Sequence, residues 1–220
     1  MEKISSRWQR TATVNDLNQL PTERAPLDRS AWIEAAIDLI ATEGVAGLRI
    51  ETLARKLRVT KGSFYWHFRD RRALQRALLE HWREGRIRDI HKQTRARAGQ
   101  EAEQLRHVID VYSASRNRKG ILIELAIREW AQRDPEAAQV VAEVDAIRLA
   151  CARDLFLTLG LSEEEATARA TLLYAYVFGF SLMHAERMPQ EMERLKTRIA
   201  GWITGPAAEN GKRDDHPPSA

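Results

Sequence analysis

Residues Gly47 to Leu74 read GLRIETLARKLRVTKGSFYWHFRDRRAL. Leu53, Ala54 and Leu57 fall at helical spacing, which predicts a short helix over about Ile50 to Leu57. A tight break follows at Arg58-Val59, and Thr60 sits where a cap belongs before a third short helix, Lys61 to His67. Two short helices joined by three or four residues form a helix-turn-helix, placed here at 49–68. Small Ala54 lets the helices cross closely, while Val59, Phe64 and Phe68 supply a core. The opposite side of the second helix carries Lys61, Ser63, Tyr65 and His67, with no acidic residue. Such a row of donors suits phosphates and base edges. Gly62 allows close approach of backbone to a DNA strand, and the helix N-terminus adds free N–H groups and a partial positive charge.

The periodicity stays helical outward from this motif. A helix over about Arg29 to Thr42 carries Ile33, Ala36, Ile37 and Ile40 on one stripe, with Asp28 or Ser30 as cap and Gly44 at its C-terminus. A long helix starts near Arg71, with Leu74, Leu78 and Trp82 at four-residue steps and Gly85 interrupting it on the way to about Arg97. Further helices are expected at about Glu101–Arg116, Gly120–Arg133, Pro135–Leu159, Glu163–Arg187 and Pro189–Ile203. Pro135 suits a first helical turn, and Ser162 with Glu165 makes a capping-box pattern. No segment alternates with period two, so the fold class is all-α. Residues 1–25 read as a flexible arm, whose Arg7, Arg10 and Arg24 are within the reach of a phosphate backbone, and 206–220 as a disordered tail.

Charge is divided unevenly along the chain. Residues 28–97 hold 16 Lys and Arg against 9 Asp and Glu, a net +7; residues 98–220 hold 15 against 19, a net −4. A basic module on a near-neutral body fits that division, as does an ordinary helical protein with a solvated charged surface. The one cysteine, Cys151, excludes an internal disulfide framework and a zinc site of the CxxC kind. No apolar run reaches the roughly 18 residues of a membrane span, and Met1 to Gln19 lacks the apolar centre of a signal peptide. A soluble, cytoplasmic protein is expected. His81, His91, His107 and His184 have no Glu or Cys at ligand spacing, so no metal or other cofactor is expected.

With these residues in view, LRIETLARKLRVTKGSFYWHFRDRRAL resembles the DNA-binding signature of the TetR family of bacterial regulators. Tyr65-Trp66-His67-Phe68 matches the aromatic-aromatic-His-Phe ending of that family's recognition helix, and Arg71 or Arg72 its basic start to the following helix. The family often has Thr where this chain has Arg49; the Thr caps a helix and touches phosphate, and Arg49 reaches phosphate without capping. The resemblance implies an N-terminal three-helix DNA-binding domain, 26–86, and a larger C-terminal helical domain for effector binding and dimerisation, 87–205. It implies DNA contact by Arg49, Thr60, Lys61, Gly62, Ser63, Tyr65, Trp66, His67 and Arg71. Trp66 reads equally as a core aromatic, and Glu51 either repels phosphate or accepts from a cytosine amino group.

In the body, GILIELAIREW, Gly120 to Trp130, is apolar nearly all round and marks a buried helix. Glu124 and Arg128 stand four apart, as a structural ion pair or as polar groups in a ligand cavity. Trp82, Tyr112, Ile123, Trp130, Ile147 and Cys151 are the matching apolar walls, or ordinary core. In TLLYAYVFGFSLMHA, Thr171 to Ala185, small residues line one face and large ones another. A TetR-like fold implies a homodimer through Leu172, Ala175, Tyr176, Gly179, Phe180 and Met183, with burial within one chain as the alternative. The implied function is a ligand-responsive repressor on a palindromic double-stranded operator, released by a small-molecule effector. An activator or a helical protein–protein adaptor on the same fold is the rival. An enzyme is not expected, since no nucleophile–base pair, phosphate loop or metal cluster is visible.

Overall fold

The computed structural model describes residues 28–113, 118–183 and 189–205, with the side chains of 111–113, 118, 189–190 and 192–193 left aside. The arm 1–25 with its arginines, the tail 206–220, His184 and the side chain of Tyr112 lie outside the described residues. Among the described residues the chain forms nine α-helices and one 3₁₀ turn, with no strand.

The first helix, α1 (Arg29–Glu43), is capped by Asp28, whose carboxylate accepts from the Ala31 N–H at 2.9 Å. It ends at Gly44, whose φ of 67° lies in the left-handed region that glycine enters freely. Its buried face includes the expected Ile33, Ala36 and Ile40, and adds Trp32, Ala35 and Leu39. After the 3₁₀ turn Val45–Gly47 come α2 (Ile50–Leu57) and α3 (Lys61–Phe64). The expected helix Lys61–His67 is therefore shorter. Beyond Phe64 the chain continues in turns, with His67 and Phe68 N–H both donating to the Phe64 carbonyl. Thr60 has the extended backbone of a cap but its hydroxyl makes no capping bond, and Arg49 likewise leaves α2 without a side-chain cap.

Asp70 caps α4 (Arg71–Thr94), accepting from Ala73 N–H at 2.7 Å. The helix runs unbroken through Gly85, contrary to the expected interruption. Its buried Leu74, Leu78, Leu79, Trp82 and Ile90 hold both halves against neighbours, which outweighs the weak helix propensity of one glycine. The remaining helices are α5 (Glu101–Ser113), α6 (Arg118–Ala131), α7 (Pro135–Thr158), α8 (Glu163–Leu182) and α9 (Pro189–Thr204). Within α8 the helix stops at Leu182, short of the expected Arg187. Ser162 accepts from Glu165 N–H at 3.3 Å, but the Glu165 carboxylate turns to Arg169 at 2.6 Å instead of completing the capping box. Arg169 also donates to the Ile203 and Gly205 carbonyls, tying α8 to the end of α9.

Two hydrophobic cores organise the helices. One runs from α1 to α4 and continues into α6 and the first half of α7, through Ile127, Trp130, Ala137 and Val144. The other joins α5, the end of α7, α8 and α9 around Leu105, Ile109, Phe156, Leu173 and Val177. Long α7 takes part in both and packs on α4, α6 and α8. Burial of this apolar area, at about 25 cal/mol per Å², is the main favourable contribution to folding. No helix among the described residues is long and apolar enough to cross a membrane.

Candidate nucleic-acid interface

The recognition segment is set by an aromatic cluster. Phe64, fully buried, meets Trp32 of α1 edge-on at 5.4 Å and stacks on Phe68 at 5.4 Å. The Arg29 guanidinium lies 4.9 Å over the Phe68 ring. With Phe64 and Phe68 held inward, the residues between and before them turn outward. Lys61, Gly62, Tyr65 and Trp66 are exposed, and Ser63 and His67 are half-buried. Trp66 is 86% exposed, so it belongs to the surface and not to the core. The Ser63 hydroxyl donates back to the Thr60 carbonyl at 2.8 Å, fixing the first turn.

The turn between the two helices is made by Arg58, with φ 58° and ψ 44°. It is the one non-glycine residue with positive φ among those described. Its N–H returns to the Arg55 carbonyl and that of Val59 to Ala54, which closes α2. Sequence reasoning located the break but not this geometry, because the position carries Arg and not Gly.

Arg49 is exposed at the start of α2, beside Glu51. Glu51 joins the ammonium of Lys61 at 2.5 Å, linking the first turns of α2 and α3. That contact holds the Glu51 carboxyl below its ordinary range and lifts the Lys61 ammonium above its own. The charges of Arg49 and Tyr65 are also felt at this pair. Glu51 and Lys61 were each noticed in the sequence, but not as partners. Ten residues separate them, and only the crossing of the two helices brings them together.

Arg71 and Arg72 part company. Arg71 donates to the Val45 carbonyl at 3.0 Å, bracing the 3₁₀ turn while staying exposed. Arg72 turns to the body, pairing with Asp134 and, at 2.8 Å, with Glu136 at the start of α7. Asp134 also caps α7 through the Glu136 and Ala137 N–H groups, and the Arg72 contact is the main cause of its carboxyl falling to about 2. Arg83–Glu143 and Lys119–Asp38, both 2.6 Å, are further ion pairs between the first four helices and the rest.

The residues expected around a ligand are dispersed differently. Glu124 and Arg128 do pair, at 2.9 Å, and two residues of α7 complete a quartet. Asp145 bonds Arg128 at 2.5 Å and Arg148 at 2.9 Å, and Arg148 reaches Glu124 at 3.2 Å. Glu124 is 2% and Arg148 1% exposed. The Phe178 ring of α8 lies under both guanidinium groups, at 4.3 and 5.1 Å. Trp82 and Trp130 are buried in the first core, and Ile123, Ile147 and Cys151 pack on its edge. An open cleft of about 310 Å³ includes Cys151 with Thr94, Arg95, Glu101 and Asp154, but none of the other expected wall residues. On α8, Leu172, Ala175 and Gly179 are exposed, as is Met183 just beyond its end, whereas Tyr176 and Phe180 are half-buried and pack on each other at 5.7 Å. Leu182 and, on α9, Leu195 and Trp202 are further exposed apolar residues. These three were missed because their apolar spacing alone cannot say which side stays uncovered.

Residues 33–78 match the family model described as bacterial regulatory proteins, tetR family. The class A tetracycline repressor from transposon 1721 of Escherichia coli is 50% identical over 54 residues, which are 24% of this chain and 25% of that protein. The match thus spans about a quarter of the curated relative's length. Among solved structures, a transcriptional regulator from Rhodococcus sp. Rha1 is 19% identical with a TM-score of 0.65, over 80% of this chain and 94% of that one. The multidrug binding protein EbrR, complexed with malachite green, is 22% identical with a TM-score of 0.55, over 79% of this chain and 98% of that one. Residues 33–78 are therefore similar to the helix-turn-helix region of the TetR family, and the helical chain shares the fold of solved structures that include a transcriptional regulator.

Proposed function

We propose that this chain is a cytoplasmic transcriptional repressor that binds a palindromic duplex operator as a homodimer and is released by a small-molecule effector. The observation that carries this reading is the outward row Lys61, Gly62, Tyr65 and Trp66, held on a segment whose Phe64 and Phe68 are anchored in the core. Thr60, Ser63, His67, Arg49 and the free donors of Arg71 extend it toward phosphates on either side. On this reading residues 26–86 do the DNA binding and 87–205 the effector binding and dimerisation, although one hydrophobic core joins the two parts.

The homodimer is supported by the uncovered face of α8 and α9. Leu172, Leu182, Met183, Leu195 and Trp202 are all exposed, and Trp202 is 70% so. A cluster of this kind marks an interaction surface. Ala175 and Gly179 on the same face of α8 permit close helix contact; a Cβ added at Gly179 meets nothing within 4 Å. Two-fold symmetry would then set two recognition segments about 34–36 Å apart, in successive major grooves. An effector lodged in the body releases DNA only so far as it binds the released arrangement more tightly. A coupling of about 1–3 kcal/mol is usual for such linkage. EbrR, with its bound dye, supports a body able to take small molecules.

The test is fluorescence anisotropy with duplexes tiling the DNA upstream of this chain's own gene. A Kd of about 10 nM or below on one duplex is expected, with weak salt-sensitive binding elsewhere. Tyr65→Ala and His67→Ala should each weaken that complex. Equal affinity for the best duplex and a scrambled one would overturn the reading. Sedimentation should give a dimer at micromolar concentration, and Gly179→Leu should weaken it by overpacking.

A further inference from the structure

We propose that Glu51 and Lys61 act as one recognition unit that reads a single base pair in the major groove, preferring guanine, then thymine, on the strand beneath Lys61. The inference rests on the DNA-binding reading above and goes beyond it in naming a base preference and the pair that produces it.

The pair joins the first turns of α2 and α3, the two helices of the helix-turn-helix. Both side chains are about half exposed, and Glu51 stands as a carboxylate between Arg49 and Lys61 at the surface that also carries Ser63, Tyr65 and Trp66. An exposed ion pair contributes about 0–1 kcal/mol to folding, so stability is a weak reason to put an acid there. An isolated carboxylate at this surface would oppose binding to a polyanion. Held 2.5 Å from Lys61, it instead presents a donor and an acceptor side by side.

The major groove offers a matching couple. A G·C pair shows the guanine O6 and N7 acceptors next to the cytosine N4 amino group. The Lys61 ammonium has three hydrogens. One stays on Glu51, and the others reach O6 and N7. The free lone pairs of the Glu51 carboxylate accept from N4–H. The unit therefore binds without separating its own charges, and its two side chains are ordered before DNA arrives. At T·A, thymine O4 and adenine N6 offer acceptor and donor in the same order, but thymine has a methyl group where guanine has N7. At C·G the order is reversed, the ammonium faces an amino group and the carboxylate a carbonyl, and both contacts are lost. At A·T the ammonium keeps N7 but meets the N6 amino group in place of O6, and the carboxylate faces the thymine O4, so the matched donor–acceptor couple is lost.

Selection from a pool of randomised duplexes, run with the wild type, Glu51→Ala, Lys61→Ala and the double variant, tests this. The wild-type motif should contain one position per half-site with the order G, then T, over A and C. Both single variants should erase the preference at that same position and leave the others intact. On the best duplex, exchanging that G·C for A·T should cost the wild type about tenfold to a hundredfold in affinity. Each single variant should lose most of this discrimination, and the double variant no more than either. Loss at two different positions, or an unchanged motif in both variants, overturns the unit. Uniformly tighter binding of Glu51→Ala to every duplex also overturns it, since Glu51 would then only repel. If the wild type itself enriches no motif, the DNA-binding reading fails, and the inference with it.

Discussion

Replacing Arg58 by glycine should stabilise the protein by about 0.5–1 kcal/mol. Arg58 sits at φ 58° and ψ 44°, where an L residue with a Cβ is strained by roughly 1–2 kcal/mol and glycine is not. Against that gain stands the larger backbone freedom of glycine in the unfolded chain, about 0.5–1 kcal/mol. Arg58 is exposed and takes part in none of the ion pairs seen here, so little side-chain packing is lost. The backbone bonds of its N–H and of Val59 N–H remain available to glycine. In a chain of this size a gain of 1 kcal/mol corresponds to a rise of about 2–4 °C in Tm. Thermal unfolding followed by circular dichroism measures it, with Arg58→Ala as the control that keeps the Cβ and hence the strain. Arg58→Gly should melt above the wild type and Arg58→Ala should not. A lower Tm for Arg58→Gly would refute the reasoning, because the arginine side chain would then be contributing more than the strain costs.

The other substitutions act away from the turn. Asp134→Ala removes the cap of α7 together with the partner of Arg72 and should cost about 1–2 kcal/mol in urea unfolding, whereas Asp134→Asn should keep part of the cap. Because the folded Asp134 carboxyl is lowered to about 2 from 3.8, its contribution is fully present above about pH 4 and is lost as pH falls through 2. Acid titrations of wild type and Asp134→Asn should draw apart through that window as pH rises and differ by a constant amount above it. Glu124→Gln leaves buried Arg148 short of a counter-charge and should destabilise by about 3 kcal/mol or more by the same unfolding assay. Gly85→Ala, where an added methyl meets nothing within 4 Å, should raise stability by about 1 kcal/mol and leave operator affinity unchanged. If effector-induced release is also unchanged in that variant, this glycine is not a joint.

The elements most legible in the sequence were those whose signals are local. The pattern of Leu53, Ala54, Leu57, Phe64 and Phe68 located the motif, because helix spacing and aromatic anchoring are written within twenty residues. Asp28, Pro135 and Ser162 marked helix starts for the same reason, whereas Asp134, the cap itself, went unread. Glu124 and Arg128 could be paired in advance since they are four apart on one helix. Asp145 and Arg148, which enclose them, come from α7 and are brought in only by packing. The same holds for Arg72 with Asp134, and for Glu51 with Lys61 across the crossing of two helices. The left-handed backbone at Arg58 left no compositional trace.

The first hydrophobic core has a practical consequence. Trp82 and Ile90 on α4, and Trp32 and Leu39 on α1, lie in one apolar mass with Ile127, Trp130, Ala137 and Val144. The first four helices are thus not a bead that can be cut off and threaded elsewhere. A fragment ending near residue 86 would present to water faces that the intact chain covers with α6 and α7, and would be prone to self-association. A chimera that grafts these four helices onto another helical body inherits the same demand. The recipient's equivalents of α6 and α7 must offer a surface complementary in shape to α1 and α4, or the graft loses buried area at that seam.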